Sequence, residues 1–435
     1  MHITKTAYLS STVFKHEQHS HALNAADVAI RGFCRLRAVK EQSLQLADQP
    51  KSIEVSVVIP CLNEQDTLAR CIEKAQRVFR EHNIAGEILV ADNDSTDSSR
   101  IIAEREGARV VTIKESGYGS ALMGGIAAAN GRFIVMGDAD DSYDFLELPK
   151  IVEKLREGFD LVQGCRLPAG GGSIERGAMP FLHRWVGNPF FSFLARKWFR
   201  SPIKDVYCGL RGFTKAMYQR LDQRCTGMEF ATEMIIKASL RGEKIAEVPI
   251  TLYPDGRTSH APHLKTFRDG WRTFRYFLMC SPRWLFLVPG GVFTAFGLLG
   301  YLVAMPGLRI GHGNFDAHTL LFASLAILCG YQWILFALFA KTFAITEGFL
   351  PPDRHLERFF EVMNLEKGLV VAALAILAGG GLLLAAVWQW WLTGFGHLDY
   401  ARTMRLVVPG ATLVALGFQT VFSSFFVSIL GMRRK

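Results

Sequence analysis

Four long apolar runs in the second half of the chain limit its fold more than any other feature. They cover residues 284–305, 319–340, 368–392 and 406–430, and none of them contains lysine, arginine, aspartate or glutamate. A helix that crosses the hydrocarbon core of a bilayer needs about 20 predominantly apolar residues. A buried helix of a soluble protein rarely stays uncharged over that length. The sequence therefore predicts a membrane domain of four spans within residues 284–435.

Basic residues around these runs predict their orientation. The segment before the first run, the 341–367 loop and the C-terminal tail are rich in lysine and arginine. The 306–318 loop has only Arg309, although the 393–405 loop carries Arg402 and Arg405. Because positively charged loops stay on the cytoplasmic side, the chain is expected to be a multi-pass protein of the cytoplasmic membrane. The domain before the first span would then be cytoplasmic.

The net charge of the chain, +9 at pH 7, raises the question of an anionic partner. Basic residues gather directly before the first apolar run, at Lys265, Arg268, Arg272, Arg275 and Arg283. This position favours the headgroups of anionic lipids. The sequence has no zinc-finger spacing and no RNP-type motif. A membrane partner is therefore expected, and a nucleic-acid partner is not.

The segment at 256–283 connects the two halves and is expected to lie at the membrane surface. Within it, Trp271, Phe274, Phe277 and Leu278 share one helical face, whereas the arginines lie mostly elsewhere. Helices with this distribution bind in the interfacial plane of a bilayer. The alternative is a helix that packs on the preceding domain with a solvated outer face.

Residues 53–255 alternate between short apolar runs and helical patterns, whereas residues 1–52 form an extension without a clear pattern. The apolar runs lie at residues 56–59, 87–91, 133–137 and 161–164. Helical patterns between them include residues 66–81, 96–106 and 120–129. Strands that alternate with helices predict an α/β domain whose mostly parallel sheet is flanked by helices on both faces.

Ligands of such sheets bind beyond the carboxyl ends of the strands, and the residues at those positions are strongly polar. The first run is followed by Asn63 and Glu64, the second by Asp92 and Asp94, and the 133–137 run by the sequence Asp138-Ala139-Asp140-Asp141. Three acidic clusters are therefore expected to converge on one edge of the sheet.

The sequence Asp138-Ala139-Asp140 is the candidate metal site. Two carboxylates separated by one residue in a loop can reach a divalent cation and a diphosphate bound to it. Mg²⁺ or Mn²⁺ at this position would neutralise the charge that develops on a departing nucleotide diphosphate. Acidic loops are common on protein surfaces, so this motif is informative only in its setting.

That setting is the ordered series VVIPCLNEQDTL, ILVADNDSTDSS, GYGSALMGG and FIVMGDADD. The series resembles the nucleotide-binding half of family 2 glycosyltransferases, which have a GT-A fold. The resemblance implies a nucleotide-sugar donor, with Gly117 and Gly119 allowing the backbone to approach it. It also implies that the base, the ribose and the diphosphate of the donor are contacted by Pro60, Asn63, Glu64, Asp92, Asp94, Gly119, Asp138, Ala139 and Arg166.

The downstream sequence narrows the resemblance to polyprenyl-phosphate glycosyltransferases. The stretch at 205–213 resembles their Asp-x-x-x-Gly-x-Arg-x-Phe motif, and the stretch at 228–250, with Glu233, resembles the segment that completes their acceptor side. The implied acceptor is undecaprenyl or dolichyl phosphate. By analogy, the resemblance also allows a homo-oligomer.

The chemistry of such an acceptor predicts further residues. A hydroxyl acceptor needs a general base, whereas a lipid phosphate is already ionised and needs cationic ligands. The expected phosphate ligands are Arg211, Arg257, His260 and Lys265. Asp205 is expected to orient the acceptor or a basic partner, and Asp140, Asp205 and Arg211 form the expected catalytic set. The expected reaction is a single displacement with inversion.

Two other readings remain open. A processive polysaccharide synthase would typically carry Gln-x-x-Arg-Trp, but Phe181 and Cys280 stand at the glutamine positions before the two Arg-Trp pairs. A catalytically inactive membrane scaffold would not need to retain Asp94, Asp138 and Asp140, all of which are present.

Overall fold

The computed structural model describes residues 53–258, 266–310, 313–348 and 350–431, and from Val55 onward they belong to one compact unit. The expected N-terminal extension lies outside the described residues, and so do His260 and Lys265. Seven strands form the main sheet, in the order β3-β2-β1-β4-β6-β5-β7. These strands are β1 (Val55–Cys61), β2 (Gly86–Asp92), β3 (Arg109–Thr112), β4 (Phe133–Met136), β5 (Leu161–Cys165), β6 (Arg211–Thr214) and β7 (Ile245–Pro249).

Strand β6 is the exception in an otherwise parallel sheet. It pairs antiparallel with both β4 and β5, and its first residue, Arg211, lies opposite Met136 and Gln163. Because β6 runs the other way, the residues that precede it lie at the same edge as the residues that follow β4 and β5. The stretch from Asp205 to Leu210 therefore joins the edge at which ligands of a parallel sheet bind.

Helices cover both faces of the sheet, as the sequence predicts. Neighbouring residues of β1 point to opposite faces, so that Val57 belongs to the core on one side and Val58 to the core on the other, both fully buried. The helices of this domain are α1 (Leu68–Glu81), α2 (Ser99–Arg105), α3 (Tyr118–Ala128), α4 (Leu148–Arg156), α5 (Asn188–Phe199), α6 (Lys215–Leu221) and α7 (Phe230–Arg241).

Among the described residues of the C-terminal half, four helices are long and apolar enough to cross a membrane, which confirms the predicted four spans. They cover Arg283–Ala304, Ala317–Thr346, Leu365–Leu392 and Tyr400–Gly431. A short amphipathic helix, Arg354–Val362, lies between the second and the third. Glycines allow close contact between these helices. A Cβ atom added at Gly379 would lie 2.6 Å from the carbonyl oxygen of Gly410 on the opposing helix.

Helix α8 (Thr266–Met279) connects the two halves and is held by aromatic packing. Phe277 is fully buried, and its ring centroid lies 5.5 Å from that of Phe199 on α5. Trp198, also on α5, stacks on Trp284 at the start of the first span, with centroids 5.8 Å apart and an interplanar angle of 15°. The α/β domain and the first span therefore share one aromatic cluster.

A second set of aromatic side chains on these helices extends from the partly buried Phe274 to the surface. Phe190, Phe274 and Trp271 form a continuous series of ring contacts, with centroids 6.2 Å and 6.1 Å apart, and the side chain of Trp271 is 60% exposed. We call these three residues the aromatic surface. Helix α8 thus packs on the α/β domain through Phe277, as the alternative reading expected, and also presents an apolar surface outward.

Candidate active site

The loops after β1 and β2 are held together by Asn63. Its backbone has a positive φ of 60°, which asparagine adopts more readily than most residues. The side-chain Oδ1 of Asn63 accepts hydrogen bonds from the backbone N–H groups of Thr96 (2.8 Å) and Asp97 (3.3 Å). The backbone N–H of Asn63 donates to Ser95 Oγ over 3.0 Å. Asn63 is thus a structural link between the two loops.

Asp92 is the last residue of β2 and Asp94 follows the strand, and the two aspartates differ in exposure. Asp92 is fully buried, and its Oδ2 accepts a hydrogen bond of 2.6 Å from Arg100 Nε. The side chain of Asp94 is 92% exposed and reaches Arg100 only at 3.5 Å. Pro60 lies inside β1, in register with Ala91 of β2. Asp94 is the member of this group whose carboxylate is open to a ligand.

The glycines before α3 face the backbone of the protein itself. A Cβ atom added at Gly119 would lie 2.4 Å from the carbonyl oxygen of Cys225, and one at Gly117 would lie 2.4 Å from that of Thr226. The N–H of Ser120 also donates to the Thr226 carbonyl over 3.1 Å. These glycines therefore make room for the loop around residues 225–226, and the approach of the donor to their backbone stays a prediction.

Asp138 lies next to two tyrosines and a second carboxylate. Its Oδ1 accepts a hydrogen bond of 2.9 Å from Tyr118 Oη. Burial, together with the negative charge of Asp140, raises the pKa of the Asp138 carboxyl to about 6. The neighbouring Ala139 is buried, and Asp141 of the same loop is paired with Lys74 over 2.8 Å.

Asp140 is fixed by its own loop and approached by an arginine. Its Oδ1 accepts hydrogen bonds from the backbone N–H (3.0 Å) and the Oγ (2.6 Å) of Ser142. Its Oδ2 lies 3.4 Å from Nη1 of Arg257. One carboxylate oxygen of Asp140 is therefore oriented by the fold, and the other faces a positively charged group.

The described residues can hold a divalent cation only if the substrate supplies some of the ligands of that cation. Within the described ranges there is no group of three or more histidine, cysteine, aspartate or glutamate residues that could hold a metal ion. Mg²⁺ is commonly held by one or two carboxylates together with substrate phosphates and water. Asp138 and Asp140 provide hard oxygen ligands of this kind, and Asp140 already has a cationic neighbour.

Arg257, one of the expected ligands of the lipid phosphate, lies inside the acidic site. Its guanidinium group donates two hydrogen bonds to Glu64, of 2.7 Å and 2.6 Å. It also donates to Asp255 Oδ2 over 2.8 Å. The positive charge of Arg257 is thus shared among Glu64, Asp255 and Asp140.

Arg166 and Asp205 form a buried ion pair at the end of β5. Nε and Nη2 of Arg166 each lie 2.8 Å from an oxygen of Asp205, and the backbone N–H of Arg166 donates to the same carboxylate over 3.0 Å. Tyr143 Oη accepts from Arg166 Nη1 (3.1 Å) and from the Gly209 N–H (2.8 Å). Of the two roles expected for Asp205, the structure shows the pairing with a basic partner.

Arg211 is fully buried, which differs from the expectation of a phosphate ligand. Its Nη1 donates to the carbonyl oxygen of Ala231 over 2.7 Å and its Nη2 to that of Cys208 over 2.8 Å. Burial lowers the pKa of its guanidinium group. The side chain is enclosed by backbone behind Asp138 and is not presented to a lipid.

The sequence interpretation missed several residues that hold the site together. Tyr118 and Tyr143 contribute through their hydroxyl groups, and Asp255 binds Arg257. Glu233 forms an ion pair of 2.7 Å with Lys237 and accepts the backbone N–H of Cys225 over 2.8 Å, which fixes the loop next to Gly119. Glu233 itself was named from the sequence, through the resemblance of residues 228–250 to the acceptor side of the family.

Comparison with known proteins agrees with this arrangement. The family model "Glycosyl transferase family 2" matches residues 56–222, and the model "Glycosyltransferase family 2 C-terminal transmembrane region" matches residues 338–431. The low-salt glycan biosynthesis hexosyltransferase Agl6 of Haloferax volcanii is 36% identical over 395 residues, which cover 90% of this chain and 92% of that protein.

Two further proteins are similar to the first half of the chain. A dolichyl-phosphate hexose transferase of Haloferax volcanii is 29% identical over 198 residues, which cover 45% of this chain and 82% of that protein. A crystal structure of glucosyl-3-phosphoglycerate synthase from Mycobacterium tuberculosis aligns with a TM-score of 0.42 and 22% identity, covering 52% of this chain and 78% of that one. With its four membrane spans and its near full-length similarity to a hexosyltransferase, the chain belongs to glycosyltransferase family 2, as a multi-pass membrane enzyme.

Proposed function

We propose that this enzyme transfers a sugar from a nucleotide-sugar donor to a polyprenyl phosphate, of the undecaprenyl or dolichyl type, at the cytoplasmic face of the membrane. In this proposal residues 53–255 form the catalytic domain, residues 256–283 the juxtamembrane segment and residues 284–435 the membrane domain. The transfer is a single displacement that inverts the anomeric configuration.

Ion pairs formed by the acidic side chains support a phosphate as the acceptor group. Glu64 is bound by Arg257, Asp205 by Arg166 and Glu233 by Lys237. A carboxylate held by a cation is a poor general base, because the positive charge stabilises its ionised form. An acceptor phosphate is ionised without such a base. Asp138, whose pKa is raised to about 6, is assigned to the metal in this proposal, so the ion pairs of Glu64, Asp205 and Glu233 favour a phosphate over a hydroxyl acceptor.

On the donor side, Asp94 is the exposed carboxylate that would bind the nucleoside, and Asn63 and Asp92 would hold its loop in place. Pro60 and Glu64 would form the adjoining wall. Mg²⁺ or Mn²⁺, bound by Asp138 and Asp140, would neutralise the developing charge of the leaving nucleotide diphosphate. Ala139 keeps the two carboxylates at the spacing of a single residue.

On the acceptor side, the aromatic surface supports a substrate that resides in a bilayer. Exposed aromatic side chains next to a membrane span fit the interfacial region of lipids, and one relative is named for a dolichyl-phosphate substrate. Arg257, His260 and Lys265 would bind the lipid phosphate. We assign Arg211 to holding the backbone behind Asp138, because its burial separates it from a lipid.

The topology follows from the same arrangement. The aromatic cluster ties the catalytic domain to the first span, and nucleotide sugars are cytosolic. The catalytic domain would therefore lie on the cytoplasmic side, with both ends of the four-span region on that side.

The experiment that tests this function uses the purified full chain in detergent with Mn²⁺ or Mg²⁺, undecaprenyl or dolichyl phosphate, and a panel of nucleotide sugars. Release of nucleotide diphosphate and formation of lipid-linked sugar are measured by mass spectrometry, with Asp140→Asn as the control. Lipid-dependent release with one donor, absent from the variant, is the expected result. Donor turnover that ignores the lipid phosphate would refute the acceptor.

One observation favours a second function, transfer to a hydroxyl acceptor. Burial, and secondarily the charge of Arg166, lowers the pKa of His183, so that its imidazole is neutral at pH 7 and could act as a general base. In that case His183→Gln would abolish turnover, and a hydroxyl compound would replace the lipid phosphate as acceptor. Unchanged turnover of lipid phosphate in this variant would exclude the second function.

A further inference from the structure

We propose that Arg257 is the resident counter-ion of the acidic site, and that it competes with the incoming divalent cation for Asp140. The inference rests on the proposed function, because it concerns the cation that this function requires. It assigns Arg257 a second role besides binding the lipid phosphate. Arg257 would occupy Asp140 until the nucleotide-sugar donor arrives.

The contacts of the guanidinium group support this exchange. Its Nε and Nη2 bind the two oxygens of Glu64, over 2.7 Å and 2.6 Å. Its Nη1 lies 2.8 Å from Asp255 and 3.4 Å from Asp140. All three nitrogens thus have carboxylate partners, and the Arg257 side chain is only 11% exposed. The group is enclosed by carboxylates in the way that a bound cation would be.

The backbone delivers Arg257 to this position. The N–H of Gly256 donates to the carbonyl oxygen of Asp140 over 3.0 Å, and the N–H of Tyr253 donates to that of Ser142 over 2.9 Å. A Cβ atom at Gly256 would lie 3.0 Å from Thr67 and 2.9 Å from Arg70. The segment before Arg257 is therefore bonded along the loop that carries Asp140, and its arginine is placed there by the fold.

Electrostatic repulsion by Arg257 should weaken the binding of a divalent cation to the site. A cation bound to Asp140 would lie close to the guanidinium group, and like charges at such distances repel strongly when partly buried. The two positive groups can coexist when the phosphates of the donor supply a new anionic partner for Arg257, since its planar fork binds phosphate oxygens as well as carboxylates. The cation should therefore bind weakly alone and tightly together with a nucleotide diphosphate.

Removing the positive charge of Arg257 should make cation binding less dependent on the nucleotide diphosphate. Arg257→Gln retains a donor for Glu64 but no positive charge. We expect Mn²⁺ alone to bind this variant roughly tenfold more tightly than the wild type, because one unit of nearby repulsion is gone. The gain in Mn²⁺ affinity on adding UDP or GDP should shrink correspondingly, and turnover should fall because a phosphate ligand is lost.

The experiment measures Mn²⁺ binding by electron paramagnetic resonance, with the purified full chain in detergent, with and without UDP or GDP. Arg257→Lys, which retains the charge, should bind Mn²⁺ alone as weakly as the wild type. The matched control is Arg77→Ala, which removes an exposed arginine paired with Glu81 on α1 and should leave Mn²⁺ binding unchanged. Thermal unfolding of each variant reports whether it is folded, and the lysine variant tests the charge argument even if the glutamine variant is unstable.

Equal or weaker binding of Mn²⁺ to Arg257→Gln than to the wild type would overturn the inference and would show that the arginine supports the cation. If the wild type still transfers sugar to lipid phosphate with Mn²⁺ in that case, the proposed function stands without the competition. If the wild type binds no Mn²⁺ even with a nucleotide diphosphate, the metal requirement of the proposed function fails as well.

Discussion

Replacing Asp138 by asparagine should stabilise the folded protein and at the same time lower its activity. Burial and the charge of Asp140 raise the pKa of Asp138 from its ordinary 3.8 to about 6. A shift of about 2 units corresponds to at most about 3 kcal/mol. Because the Asp138 side chain is partly exposed to solvent, solvent screening reduces this free energy. We expect a destabilisation of the folded protein by about 1–2 kcal/mol.

The sign follows from the direction of the shift. A raised pKa means that the ionised carboxylate is disfavoured in the folded protein, so the wild type loses stability as the pH rises from about 4 to about 6. Asparagine does not ionise, and its Oδ1 can still accept the hydrogen bond from Tyr118. The variant and the wild type should therefore be equally stable near pH 4, and the variant should be more stable above about pH 6.5.

The assay is thermal unfolding of the full chain in detergent with a chelator present, over a series of pH values. We expect Asp138→Asn to raise the unfolding midpoint at pH 7.5 by roughly 2–8 °C, while turnover with Mn²⁺ falls more than about 100-fold. Asp94→Asn is the control for the stability measurement, because the Asp94 side chain is 92% exposed and asparagine tolerates its positive φ of 70°. A destabilised Asp138→Asn, or a difference that does not vary with pH, would refute this reasoning.

Three further substitutions test other parts of the fold. Asp205→Ala leaves Arg166 buried and unpaired and should destabilise the protein by about 3–5 kcal/mol, measured as the loss of folded full-length protein; partial recovery by Asp205→Asn would support this cause. Gly119→Ala should lower both activity and the unfolding midpoint, because the added Cβ would lie 2.4 Å from a backbone carbonyl, whereas Gly270→Ala, which meets nothing within 4 Å, should not. Thr214→Ala removes the side-chain cap of α6 and should cost about 1 kcal/mol of unfolding free energy, whereas Thr214→Ser should restore it.

Much of the fold could be predicted because local patterns carry it. The apolar runs that predicted strands correspond to β1, β2, β4 and β5, and the uncharged runs correspond to the four membrane helices. Strands β3, β6 and β7 were missed. β3 and β7 are the edge strands of the sheet, with at most one buried residue each, and β6 begins with Arg211 and Gly212. The antiparallel direction of β6 was also beyond prediction, because the periodicity of a strand does not depend on its direction in the sheet.

The pairing of charges could not be read from the sequence. Arg257 and Glu64 are 193 positions apart, and a sequence gives the number of charges but not their partners. Arg211 was misjudged for a related reason. Arginine is rarely fully buried, so its burial between the carbonyl groups of Cys208 and Ala231 depends on how β6 and α7 pack together.

The aromatic cluster around Phe277 has a consequence for the construction of hybrid enzymes. Its members come from α5, from α8 and from the start of the first span, where Trp284 stacks on Trp198. A junction at the first span would exchange Trp284 and leave the other rings facing a foreign partner. A junction before Thr266 would transfer α8 together with the span but would still separate both from α5. The catalytic and membrane halves are therefore not interchangeable modules, and a functional hybrid should need α5, α8 and the first span from the same parent.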